Sequence, residues 1–311
     1  MKSSRGNKGG AIKILSHLGS LIAVTAWALS FLCTKVLMEK GGFTPIEMYV
    51  YRFAVAYLIL LLFTFRNLKT KSWRDEITLA VSGICAGSLY FITENYALRL
   101  TTAGNVSLLT SISPVLTTFL LAALYRQRIL PGVIIGSIAA FIGVGCIIFS
   151  NGEGIEFRPE GDLLALSAAL CWAVYSVTIK RVLPLYNSLF ITRKLFFYGV
   201  ITALPLLFTD NNGFHLHLLF DFSHPEYILN FSFLVIMCSV VAYLIWNESM
   251  KILGPVTTNN YIYLQPLITM IAAYLLIGEN ITLLGYIGCF LIICGLIVSD
   301  KWKGSIRFIR R

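Results

Sequence analysis

Trp27-Ala28-Leu29-Ser30 heads a run that reaches Lys35, and 145 residues later Trp172-Ala173-Val174-Tyr175 heads another that reaches Lys180. Both runs lie inside apolar stretches. A second echo, at a shift of 152 residues, sets Asn95 against Asn247, Pro114 against Pro266, Gln127 against Glu279, Gly136 against Gly288 and Gly143 against Gly295. The duplication therefore spans nearly the whole chain, and each half is expected to repeat one set of elements.

Composition sets the solvent. With 57% hydrophobic and 13% charged residues and a mean hydropathy of +0.77, the chain has too little polar surface to coat a soluble domain of its length. Apolar runs of about 18 to 23 residues cross about 30 Å of hydrocarbon as helices. Five are read at 18–38, 46–65, 77–98, 104–124 and 131–149, and five more at 161–182, 189–209, 228–249, 256–277 and 282–300.

The net charge of +10 would suit nucleic acid, but the placement of the basic residues opposes that partner. With the N-terminus inside, the inner segments hold 18 basic residues, from Lys2 through Arg66, Lys69 and Lys251 to Arg311, whereas the outer loops hold only Lys40, Arg99 and Arg158. Such a bias orients membrane proteins. Both termini are then cytoplasmic, and five spans per half invert the second half relative to the first. The expected fold is an all-α integral membrane protein with ten transmembrane helices arranged as two inverted five-helix repeats, 18–149 and 161–300. In a bilayer, paired halves of this kind mark transporters, which rock about a central site.

The basic N-terminus followed by an apolar run imitates a signal peptide. The run is of spanning length with no small-residue cleavage site, so it is read as a retained first helix. Seven cysteines (Cys33, Cys85, Cys146, Cys171, Cys238, Cys289 and Cys294) all fall in apolar runs without metal-ligand spacing, and read as small core residues. His215 and His217, near His224, read as surface residues. No cofactor and no metal site is expected.

Trp-Ala in helices 1 and 6, a basic residue eight positions on, Arg52 early in helix 2, prolines in helices 4 and 9, and glycine-rich helices 5 and 10 together resemble the EamA family of the drug/metabolite transporter superfamily. The resemblance covers about 18–300, with Gly161-Asp162, Tyr263-Leu264-Gln265-Pro266, and Gly278-Glu279 followed by Gly285 to Gly295 as its most specific pieces. The first half has Arg126-Gln127 where the second has Gly278-Glu279, so the acidic residue common in the family after helix 4 is missing. The resemblance implies transport: export of amino acids or related small metabolites, with nucleotide sugars or sugar phosphates as the alternative. It also implies a small-molecule partner and a bacterial inner membrane.

Depth sorts the polar residues. Trp27, Ser30, Tyr90, Trp172, Tyr175, Tyr243, Tyr261 and Gln265 fall near the midplane and are the candidate substrate-binding residues. Pro114 and Pro266 are candidate helix kinks that free the carbonyls of Thr110 and Ile262. Aromatic residues at helical spacing often only pack helices. Tyr261 and Gln265, four apart, nevertheless share one face, and an amide in hydrocarbon needs partners. This lining suits a neutral or zwitterionic molecule.

Lys35, Arg52 and Glu94 fall toward the outer side, and Lys180, Arg193 and Glu248 toward the inner side. They are read as gating or coupling residues, since intramembrane charges cost about 2.5–3.5 kcal/mol each unless paired or wetted. The plainer reading has the lysines snorkelling and the arginines anchoring helix ends. Glu94 and Glu248 are also candidate proton carriers, against plain facilitated diffusion. Gly132, Gly136, Gly143, Gly285, Gly288 and Gly295 mark close helix approach, within one chain or across a homodimer. An integral-membrane enzyme is the rival class, but no HExxH, GxSxG or P-loop is present and the acids are split between opposite sides, so no catalytic residue is expected.

Overall fold

The computed structural model describes residues 2–101, 103–126, 129–150, 158–208, 214–221, 223–277 and 282–301. They form helices, with no strand among them. The chain is an all-α membrane protein. Nine helical stretches among the described residues are long and apolar enough to span a bilayer: Gly10–Ser30, Pro45–Thr64, Trp73–Ala97, Val106–Tyr125, Pro131–Ser150, Pro159–Arg181, Ser188–Leu207, Pro225–Leu253 and Leu283–Lys301.

The expected tenth span, 256–277, is broken into α12 (Pro255–Asn260), a 3-10 turn (Tyr261–Tyr263) and α13 (Leu264–Ile277). Its counterpart is broken too, into α5 (Ala103–Thr110) and α6 (Ser113–Tyr125). The cause is shared, because Pro114 and Pro266 each sit within the first turns of the second piece, where a missing N–H and a fixed φ are tolerated. The first helix also departs from expectation. α1 runs Lys2–Glu39, well beyond the expected 18–38.

Capping residues set other starts. α2 (Pro45–Thr64) opens on a capping box in which the Thr44 hydroxyl accepts from Glu47 N at 3.3 Å and the Glu47 carboxylate accepts from Thr44 N at 2.9 Å. Asn187, 143 residues on, caps α9 (Ser188–Leu207) by accepting from Phe190 N at 2.7 Å. Ser72 caps α3 (Trp73–Ile84). The remaining helices are α4 (Tyr90–Leu100), α7 (Pro131–Ser150), α8 (Pro159–Thr178), α10 (Pro225–Phe233), α11 (Ala242–Leu253) and α14 (Leu283–Lys301).

Two compact units cut across the sequential halves. One comprises Met1–Ile92 and Thr178–Gly254, the other Thr93–Val177 and Pro255–Arg311. In the first, α2 and α3 pack on α9 and α1 packs on α11. Its core is aromatic: Trp27 lies 5.3 Å from Tyr243 and 4.9 Å from Trp246, and Phe53 lies 4.9 Å from Phe196. Two π-helical segments interrupt its helices, Cys85–Leu89 and Leu234–Val241, at positions that correspond under the 152-residue repeat.

In the second unit α7 packs along α14. A Cβ on Gly143 would stand 2.7 Å from Gly288 O, and one on Gly288 would stand 2.6 Å from Gly143 O. The glycine seam is thus filled within the chain. Ile134, Ile135, Ile138 and Ile142, on the opposite face of α7, are exposed.

Candidate functional site

The first unit holds Trp27, Ser30, Tyr90 and Tyr243 of the expected substrate residues, and the second holds Trp172, Tyr175, Tyr261 and Gln265. In the first unit the aromatic donors are tied to the π segments. A π turn breaks the regular i→i−4 ladder and leaves carbonyls for other donors. The Trp27 indole donates to Cys238 O at 2.8 Å and the Tyr243 hydroxyl to Ala86 O at 3.3 Å. Ala86 and Cys238 also stand 152 residues apart, so the two acceptors occupy one repeat position. Ser30 hydrogen-bonds back to Trp27 O at 2.7 Å, and Tyr90 is half-buried against Phe91.

In the second unit the Trp172 indole donates to Asn259 Oδ1 at 3.2 Å, and Asn259 Nδ2 donates to Thr117 Oγ1 at 3.0 Å. Asn260 Nδ2 donates to Ser299 Oγ at 2.7 Å. Tyr175 is fully buried beside Trp172, at 5.2 Å between rings. Tyr261 lies in the 3-10 turn and Gln265 in the first turn of α13, both half-buried. Sequence reasoning passed over Asn259 and Asn260. The signal was present, because Thr257-Thr258-Asn259-Asn260 is a polar run inside an apolar span, and all four are buried.

The two arginines read as counterparts have different fates. Arg193 donates to Thr64 O at 3.1 Å, Asn67 O at 3.0 Å and Leu68 O at 3.3 Å. It therefore closes the C-terminal end of α2, where carbonyls lack intrahelical donors. Arg52, only 6% exposed, donates through Nε to Ser239 Oγ at 2.6 Å and lies 5.0 Å from the Phe53 ring centroid and 6.0 Å from that of Phe91. No carboxylate pairs with it among the described residues. Desolvating a guanidinium costs several kcal/mol, against about 2 kcal/mol from desolvated cation–π contact and about 1.5–3 kcal/mol from one hydrogen bond with a charged donor. The charge has no opposite charge beside it among the described residues.

The other expected gating residues are dispersed. Glu94 is buried in the second unit. Glu248 is exposed and accepts from the Ser188 hydroxyl at 2.6 Å, so Arg193 and Glu248 do not pair with each other. Lys180 sits half-buried in a 3-10 turn at the end of α8. The side chain of Lys35 lies outside the described residues, as do Gln127, Gly278 and Glu279.

Two carboxylates the sequence reading did not single out are well held. Glu76 takes Lys194 Nζ at 2.5 Å, Thr70 Oγ1 at 2.8 Å and the Tyr198 hydroxyl. Asp75 takes the Tyr186 hydroxyl at 2.9 Å and lies 3.6 Å from Arg181. Burial, with the bond to Asp75, pushes the Tyr186 phenol above its ordinary range, so it stays a donor. Two adjacent acids in the first turn of a span, where they suit the helix dipole, were the available signal.

At the other end of α2, Glu47 accepts from His215 N at 2.7 Å and meets His215 Nδ1 at 2.9 Å. The histidine expected at the surface is therefore anchored to a buried carboxylate. Among the described residues no group of three His, Cys, Asp or Glu side chains could hold a metal.

A polytopic helical protein with duplicated halves, helices broken at matched prolines and buried polar side chains in its spans belongs to the class of membrane transporters. The chain is a member of the EamA-like transporter family, whose model matches residues 14–149 and 159–299. It is 29% identical over 290 residues to an uncharacterized transporter of Archaeoglobus fulgidus, covering 91% of this chain and 96% of that one. It is 24% identical to the "Probable terminal-alkyne amino-acid exporter" of Streptantibioticus cattleyicolor, covering 90% of this chain and 92% of that one. A solved crystal structure aligns with 92% of this chain and 96% of its own, with a TM-score of 0.71 and 21% identity, which shows a shared fold.

Proposed function

We propose that this protein exports amino acids or related small metabolites by alternating access, seated in a bacterial inner membrane with both termini cytoplasmic. The observation that carries the substrate class is the likeness, over 92% of its length, to the "Probable terminal-alkyne amino-acid exporter" of Streptantibioticus cattleyicolor. The 18-to-3 bias of basic residues supports the orientation. Trp27, Ser30, Tyr90 and Tyr243 in one unit, and Trp172, Tyr175, Tyr261 and Gln265 in the other, are the substrate-binding residues of this reading. Asn259 orients Trp172. Pro114 and Pro266 give helices 4 and 9 breaks whose freed carbonyls serve polar solutes. Lys35, Arg52, Glu94, Lys180, Arg193 and Glu248 remain the gating or coupling set, and the two five-helix repeats 18–149 and 161–300 the inverted halves.

Thermal unfolding of the purified protein with a panel of amino acids, nucleosides and sugar phosphates tests the reading. A ligand that binds only the folded state at about a hundred times its Kd adds about 2.7 kcal/mol of stability. Stabilisation by an amino acid, lost in Gln265→Ala and Trp172→Ala, is the expected result. Stabilisation by phosphorylated compounds alone would overturn it.

A further inference from the structure

We infer that Arg52 is the residue that recognises the anionic end of the transported molecule, and that this end is a single carboxylate. The inference rests on the export reading above and names the group by which the first unit would hold such a substrate. Among the described residues, the ionisable side chains that interact electrostatically with Arg52 are the thiols of Cys33 and Cys238 and the phenols of Tyr49 and Tyr243, none of them a carboxylate. Its one hydrogen bond uses Nε, which leaves the fork of Nη1 and Nη2 without an acceptor among the described residues. Planar, parallel N–H bonds of that fork match the two oxygens of a carboxylate.

The surroundings restrict the ligand further. Phe53 and Phe91 provide apolar walls, and Phe91 and Cys33 are half-buried. One positive charge between apolar walls neutralises a monoanion and would leave a phosphate dianion with excess buried charge. Ser239 fixes the fork by accepting from Nε while its own hydroxyl donates to Leu234 O at 3.1 Å, across the π segment. π segments recur at functional sites. Arg193 is the contrast, because both terminal nitrogens of its guanidinium already donate to backbone carbonyls.

The test uses the purified full chain in detergent and three probes of one shape: an aromatic amino acid, its carboxamide and its decarboxylated amine, with a sugar phosphate as the fourth. Affinities are read from ligand-dependent thermal shifts for wild type, R52Q and R52K. Wild type is expected to prefer the acid over the amide by about tenfold or more. R52Q is expected to lose that preference, and R52K to keep part of it. Without ligand, R52Q is expected to unfold at the same or a higher temperature, because it removes a buried charge that no carboxylate among the described residues neutralises; an arginine retained only for packing would do the opposite.

An unchanged acid preference in R52Q would overturn the assignment of Arg52 while leaving the export reading intact. Equal binding of acid and amide by wild type would overturn the carboxylate. Binding of the sugar phosphate alone, lost in R52Q, would overturn both the carboxylate and the export reading.

Discussion

At the scale of single residues, repeat symmetry predicts which positions correspond but not what each side chain does there. Arg52 and Arg193 both lie in the N-terminal half of their helices, yet Arg193 donates to the carbonyls at the end of α2 while Arg52 meets one hydroxyl and two rings. Partners of this kind come from helices distant in sequence, which is why the gating set was legible as a list of charges and not as pairs. Arg193→Ala is expected to destabilise the protein by about 1–3 kcal/mol, read as a lower unfolding temperature, since it removes three charge-assisted hydrogen bonds at the end of α2. Asn259→Ala leaves the Trp172 indole and the Thr117 hydroxyl without their shared partner, and is expected to cost about 2–3 kcal/mol by the same measurement. Asn259→Leu, which restores volume without the amide, should not recover that loss.

At the scale of elements, the helices were legible because a bilayer demands long apolar runs, and the breaks between α5 and α6 and between α12 and α13 were legible because proline lacks a donor. The π segments were not, since no residue pattern separates a π turn from an α turn in an apolar helix; only the tertiary acceptors at Ala86 and Cys238 reveal them. The end of α6 shows the repeat imperfectly kept. Arg126 adopts φ 49°, a left-handed conformation that favours glycine, and the matching position in the second half is Gly278. Arg126→Gly is therefore expected to stabilise the protein by about 0.5–1 kcal/mol, seen as a higher unfolding temperature. On α7, Gly143→Val would drive side-chain atoms into Gly288 O and Ile292 of α14, and is expected to abolish recovery of folded protein.

At the scale of the whole molecule, the sequence reading divided the chain into two consecutive halves, and the contacts divide it differently. α1 to α3 join α9 to α11 in one compact unit, while α5 to α8 join α12 to α14 in the other. The duplication is written in residue spacings, so it could be read directly; which helices pack together depends on surfaces such as the glycine seam of α7 and α14 and the aromatic core around Trp27, which no spacing encodes. Each unit holds four of the eight residues assigned to the substrate. The transporter family supplies the class of activity, and the polar, largely uncharged set of side chains supplies the expectation of a small zwitterion. The most direct measurement is efflux of a labelled amino acid from liposomes preloaded with it and carrying the purified protein. The account expects saturable efflux that competes with unlabelled amino acid and falls at least tenfold in Trp172→Ala. Efflux no faster than from empty liposomes, with saturable movement of sugar phosphates instead, would contradict it.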